Sequence, residues 1–128
     1  MARDFYVDCE VNVNGIVSKL DNLITDEVML EIHTLFAKLI DPWVPMLEGP
    51  LHQSGLAQIY ADHVRYGGTD IGVPYALYQY NGVDFNFTKD YHPLASARWD
   101  KVAMQTQMKA FEVGVIKILQ RRAREVYG

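Results

Sequence analysis

A single cysteine, Cys9, is all the thiol this chain carries. An intramolecular disulfide is therefore excluded, and so is a zinc site built on several cysteines. A chain that relies on neither fits folding in a reducing cytoplasm. No apolar run approaches the ~18 residues needed to cross a bilayer, so no membrane role is expected. The first ten residues carry Arg3, Asp4, Asp8 and Glu10, a pattern from which no secretory signal is expected. Asn86-Phe87-Thr88 then reads as a chance sequon. Positive charge is also scarce, with 12 Lys and Arg against 16 Asp and Glu, a net charge of −4. Global attraction to phosphate is missing, and direct nucleic-acid recognition is demoted.

What remains is ordinary for a globular chain. Hydrophobic residues are 49% and charged residues 22% of 128, enough for one core and one domain over residues 1–128. No internal repeat, linker or low-complexity stretch divides it.

Phe5, Val7, Cys9, Val11 and Val13 alternate with polar neighbours. Period two with β-branched residues predicts a half-buried strand, ended by Asn14-Gly15. A short helix is expected over about Ile16 to Leu20. Thr25, followed by Asp26 and Glu27, marks a helix start. Val28, Leu30, Ile32, Leu35, Phe36 and Leu39 give it an apolar face, and Pro42 stops it, predicting a helix from Asp26 to Ile40. The proline-broken stretch from Pro42 to Pro50 reads as an ordered apolar connection holding at most one helical turn.

Residues Leu51 to Gly68 read as β-like, with a tight turn at Asp62-His63, and Ile71 to Val73 as a further strand. Tyr75 to Tyr80 fits a short helix closed by Asn81-Gly82 better than a strand. Residues 83 to 95 look irregular. Ser96 is placed to cap a long C-terminal helix from Ala97 to Tyr127, whose apolar residues are spread too widely for one core face. That spread predicts burial on two sides, one inside the domain and one against another chain. The fold class is α+β, a small antiparallel sheet packed with helices and a long C-terminal helix.

Chemistry-bearing groups do not converge in the sequence. His33, His52, His63 and His92 fall in separate elements, and no pair has the i, i+4 spacing of a helical zinc site. Packing or surface histidines are the favoured reading. Ser54 lies near His52 but lacks a nucleophile elbow, and Cys9 on a strand face reads as a buried structural thiol. Asp84, Asp90 and Asp100 are candidate paired acids by residue type alone. No phosphate-binding glycine loop surrounds Gly67-Gly68. The chain is therefore not expected to be an enzyme or to hold a cofactor or metal. A small hydrolase remains as a contrasting reading, which would need a pocket of convergent titratable groups.

Two sets of residues suit assembly instead. Tyr60, Tyr66, Tyr75, Tyr78, Tyr80 and Tyr91 cluster with few basic neighbours, and with Trp43 and Trp99 they suit a core or a protein interface more than base or sugar stacking. Trp43, Tyr75, Tyr78 and Trp99 are the expected anchors. Arg121, Arg122 and Arg124 suit a helix C-terminus, DNA in a channel, or an acidic neighbouring subunit.

Three stretches carry a resemblance, and they come in a fixed order. They are Trp43-Val44-Pro45-Met46-Leu47-Glu48-Gly49-Pro50-Leu51, then Val73-Pro74-Tyr75-Ala76-Leu77-Tyr78-Gln79-Tyr80-Asn81-Gly82, then His92-Pro93-Leu94-Ala95 with Trp99-Asp100. Together they resemble phage minor capsid proteins, a family similar to the neck proteins of long-tailed phages. Asn81 departs from that family's usual residue before the glycine. The resemblance implies a virion protein of the head–tail connector, assembled in the bacterial host cytoplasm. It implies a ring of six or twelve identical subunits, between a head-closure or adaptor protein and a tail terminator or tail tube. DNA would pass through without sequence readout. A tail terminator or completion protein, and a regulator outside the virion that binds a host protein, are the alternatives.

Overall fold

The computed structural model describes residues 6–13, 23–45, 50–82 and 94–127. In chain order these form β1 (Tyr6–Cys9), α1 (Asp26–Ile40), α2 (Pro50–Ala57), β2 (Val64–Gly67), α3 (Ala76–Asn81) and α4 (Trp99–Tyr127), with 3₁₀ turns at Asp41–Trp43 and Thr69–Ile71. The architecture is α+β. The expected helix over Ile16 to Leu20 lies outside the described residues, as do most of residues 83 to 95.

β1 and β2 pair antiparallel, Tyr6 opposite Gly67 and Cys9 opposite Val64. The alternation holds: Val7 and Cys9 are buried and Asp8 faces out. On the outer face Asp8 sits directly across from Arg65, which donates from Nε and Nη2 at 2.8 and 3.1 Å. Arg65 also lies over the Tyr6 ring. Such opposed cross-strand pairs fix register.

The strand is shorter than the alternation to Val13 implied, because β2 offers only four residues. Beyond Cys9 the Val11 N–H donates instead to His33 Nε2 on α1, at 3.4 Å. Ahead of β2, Tyr60 N donates to His63 O at 2.8 Å and Ile59 bridges to Val64. The tight turn is thus at the expected place.

α1 has the predicted ends. Thr25 Oγ1 accepts from Val28 N at 3.2 Å, and the chain runs past Ile40 into the 3₁₀ turn that carries Pro42. Its buried face is Val28, Ile32, His33, Phe36, Ala37 and Ile40. Val44 and Pro45 are buried, as the apolar connection required.

Two readings are corrected. Leu51 to Ala57 is helix, not β-like. Pro50 opens α2, and its buried residues Leu51, Ser54 and Gly55 stand at the i, i+3, i+4 spacing of a helix. Small polar residues on that face hid the period. A Cβ at Gly55 would overlap the Tyr66 ring, so glycine lets β2 approach the helix. Gln58 donates to the Arg65 and Gly67 carbonyls and covers the open edge of β2.

Ile71 to Val73 is likewise no strand. Gly68 (φ 136°) and Gly72 (φ 74°) bend the backbone around the 3₁₀ turn. Only Val73 pairs, exchanging both hydrogen bonds with Gly68.

α3 is a helix, as preferred, closed by Gly82. α4 begins at Trp99, two residues later than expected, and Ser96 does not cap it. Arg98 takes a positive φ of 48° and its N–H donates to Tyr80 O, while Ser96 N donates to Trp43 O. Backbone partners thus direct the chain into the helix where a side-chain cap was expected.

The core centres on Trp99, Tyr66, Phe36, Phe111, Ile32, Ile40 and Leu119. Tyr66 and Tyr80 both meet the Trp99 ring edge-on, at 5.3 and 4.8 Å between centroids. On α4, Trp99, Ala103, Phe111, Val115 and Leu119 are buried. Spacings of four advance ~40° per step around a 3.6-residue helix. The buried stripe therefore winds from the sheet end to α1, where Gly114 lets Leu35 pack on the backbone.

Candidate assembly surfaces

The expected anchors are distributed between core and surface. Trp99 is fully buried, and Trp43 is partly buried against the same core. Tyr75 is exposed, immediately before α3. Tyr78 lies within α3; its side chain is outside the described residues. Tyr66, not among the expected anchors, is the second largest side chain in the core.

The candidate chemical groups are used structurally. Cys9 is 1% exposed, and burial together with the neighbouring Asp100 carboxylate pushes its thiol well up from the usual range. A thiol held protonated is not a nucleophile. Asp100 is also buried and accepts from Tyr80 Oη at 2.7 Å. Burial first, and that hydrogen bond second, push the Tyr80 hydroxyl up. These groups tie β1, α3 and α4 together.

Ser54 Oγ donates to Leu51 O and accepts from Gly67 N, so its hydrogen bonds hold α2 to β2. His52 faces Asp41 at 3.1 Å and His63 faces Asp62 at 2.6 Å. Asp84, Asp90 and His92 lie outside the described residues. Among the described residues, no group of three His, Cys, Asp or Glu is placed to hold a metal.

His33 is buried on α1 among three backbone partners, Met29, Val11 and Ala61. The Met29 carbonyl can only accept, so Nδ1 carries the proton, and Nε2 accepts from Val11 N–H. The imidazole is neutral in this arrangement, and burial holds it below its ordinary range.

The C-terminal arginines are mostly spoken for. Arg121 Nη2 bridges both carboxylate oxygens of Glu31 on α1, and its Nε lies 3.4 Å from Glu125. Arg122 reaches Glu27 at 3.8 Å and Glu125 at 3.3 Å. Arg124 is exposed, as are the neighbouring Val126 and Tyr127.

An open groove of about 980 Å³ runs between α1, α4 and the segment after β1. Met29, Phe36, Met104 and Met108 line it with apolar surface. Glu10, Asp26 and Asp62 line it with exposed carboxylates, against Lys101 as the single lysine or arginine among the described lining residues. All three methionines among the described residues thus face one concavity. Met104 and Met108 were legible as an i, i+4 pair on one helix; Met29 joins them only through the packing of α1 beside α4.

A family model described as minor capsid protein matches residues 7–119. The chain belongs to the minor capsid protein family. The match runs from within β1 through most of α4, far beyond the three resembling stretches. It stops short of Arg121, Arg122 and Arg124. Comparison with curated proteins and with solved structures finds no match. A minor capsid protein is a structural component of a phage virion. No helix among the described residues is long and apolar enough to cross a membrane.

Proposed function

We propose that this minor capsid protein is a neck component. It forms a ring of identical subunits at the head–tail junction, between the head-closure protein and the tail terminator, and DNA passes through the ring. The observation that carries this reading is the family match across residues 7–119, joined to the similarity of that family to the neck proteins of long-tailed phages. Its action is mechanical and needs no reacting group.

The surface supports a role in assembly. Met108, Val113 and Ile116 on α4 and Leu30 on α1 stay exposed in the single chain. This is apolar area that a subunit packed against neighbours would cover. A ring needs two unlike surfaces on each subunit, because head-to-tail contacts close when their rotation closes.

For the arginines, contact with protein is favoured over contact with DNA. Glu27, Glu31 and Glu125 already neutralise Arg121 and Arg122, which leaves little net field for phosphate.

Deleting the gene from the phage tests the proposal. Filled heads and finished tails that fail to join are the expected result. Normal virions, or heads that never fill, would overturn it.

A further inference from the structure

We infer that the methionine-lined groove receives the last turn of α4 from a second copy of the chain. The inference rests on the ring-forming reading and supplies it with a specific contact.

The groove has the character of a helix acceptor. Unbranched, polarizable methionines adapt to an inserted surface. Glu10, Asp26 and Asp62 add a negative rim, so the fitting occupant is a basic element with apolar side chains. The C-terminal turn of α4 offers Arg124 beside Val126 and Tyr127, and its one carboxylate, Glu125, is already paired with Arg121 and Arg122. Arg124 takes part in neither the Glu31 nor the Glu27 pair, and Val126 and Tyr127 are 52% and 65% exposed. In the complex Arg124 meets the rim carboxylates while Val126 and Tyr127 cover Met29, Met104 and Met108.

The contact forms only between copies. Asp100, Lys101, Met104 and Met108 give the groove the first third of α4. At 1.5 Å per residue, Arg124 lies about 24–36 Å further along the same helix. A helix cannot fold back on itself. The terminus is also held elsewhere: at 100° per residue, Glu27 and Glu31 lie roughly 100–160° around α1 from Asp26, Met29 and His33. Arg121 and Arg122 fix their own terminus on that far flank. Groove and terminus are therefore unlike surfaces at separate places on one rigid subunit, the arrangement that propagates head to tail.

Sedimentation equilibrium of the full chain at low salt tests this, up to about 1 mM, the weak end of specific recognition. Reversible self-association that weakens with salt is expected. Arg124→Glu is expected to weaken it at least about tenfold, and so is the double variant Glu10→Lys, Asp62→Lys on the rim. All three positions are exposed, and unchanged thermal melts confirm folding.

Mixing the two variants is the sharper arm. One retains the groove and the other the terminus, so together they form a 1:1 pair that grows no further. A wild-type chain monomeric throughout overturns the inference. Association undiminished by Arg124→Glu does so too, and would point to Val113 and Ile116 instead. Location in the virion is scored separately. A neck protein whose association ignores these charges keeps the function and loses this contact. A chain that associates through the groove but is absent from virions keeps the contact and loses the function.

Discussion

At the residue scale, glycine and histidine carry demands that their letters do not announce. Gly55 is buried against Tyr66, and the ring occupies the place of a Cβ. Gly55→Ala overpacks that contact and is expected to cost about 1–3 kcal/mol, read as a lower urea midpoint with an unchanged slope. Tyr80→Phe removes the donor to buried Asp100 and is expected to cost about 1–3 kcal/mol for the acceptor left unpaired.

His33 makes stability depend on pH. Burial lowers its pKa in the folded chain, against smaller upward pulls from the Met29 carbonyl and Asp62. As pH falls, the unfolded chain takes up the proton first, near ~6.5. The contribution of neutral His33 is whole above that value and is lost as pH drops toward the folded one. Thermal midpoints should therefore fall between about pH 7.5 and pH 5.5, and His33→Gln should flatten the part of that slope due to this residue. A slope unchanged by the substitution would contradict the assignment. The sequence left His33 as an isolated packing or surface histidine, and its burial decides for packing. Its partner Val11 was not legible, since 22 residues separate the two.

At the element scale, legibility followed the strength of the local signal. α1 was readable to the residue because Thr25, Asp26, Glu27 and Pro42 punctuate it. α3 was readable from Pro74 and Gly82. α2 was not, because its inward face is Leu51, Ser54 and Gly55, and small or polar residues carry no hydrophobic period. What makes it a helix is packing against Tyr66, a tertiary cause.

The start of α4 was misread for a related reason. Ser96 has the chemistry of a cap, yet backbone carbonyls of Trp43 and Tyr80 hold Ser96 and Arg98. A Ser96→Ala change is therefore expected to leave stability within about 0.5 kcal/mol of wild type, as for substitutions that break no hydrogen bond. A loss near the ~1 kcal/mol of a true cap would show that the hydroxyl caps the helix after all.

At the scale of the whole molecule, the class was legible and the surfaces were not. One cysteine and no convergent histidines pointed away from catalysis, the net charge of −4 pointed away from nucleic-acid recognition, and the ordered tyrosine and proline stretches pointed to the family. The groove joins Glu10, Asp26, Asp62 and Met104, positions far apart in the chain; no local pattern marks such a set. The wide apolar spread of α4 predicted two buried sides. In the single chain one winding stripe is buried, while Met108, Val113 and Ile116 remain exposed. Arg121 and Arg122, legible only as a basic helix end, brace α4 to α1.

The exposed pairs of Arg121 are solvent-screened. Changing Arg121, Arg122 and Arg124 to alanine should leave the fold intact while reducing incorporation into virions. A triple variant that assembles normally would remove these residues from assembly.

The central claim is that the chain is built into the virion at the head–tail junction. Cryo-electron microscopy of the phage, with the chain labelled by a fused tag, addresses it directly. Density for a ring of this fold between the portal end of the head and the first tail ring is the predicted result. Label spread over the capsid shell, or missing from the particle, would contradict it.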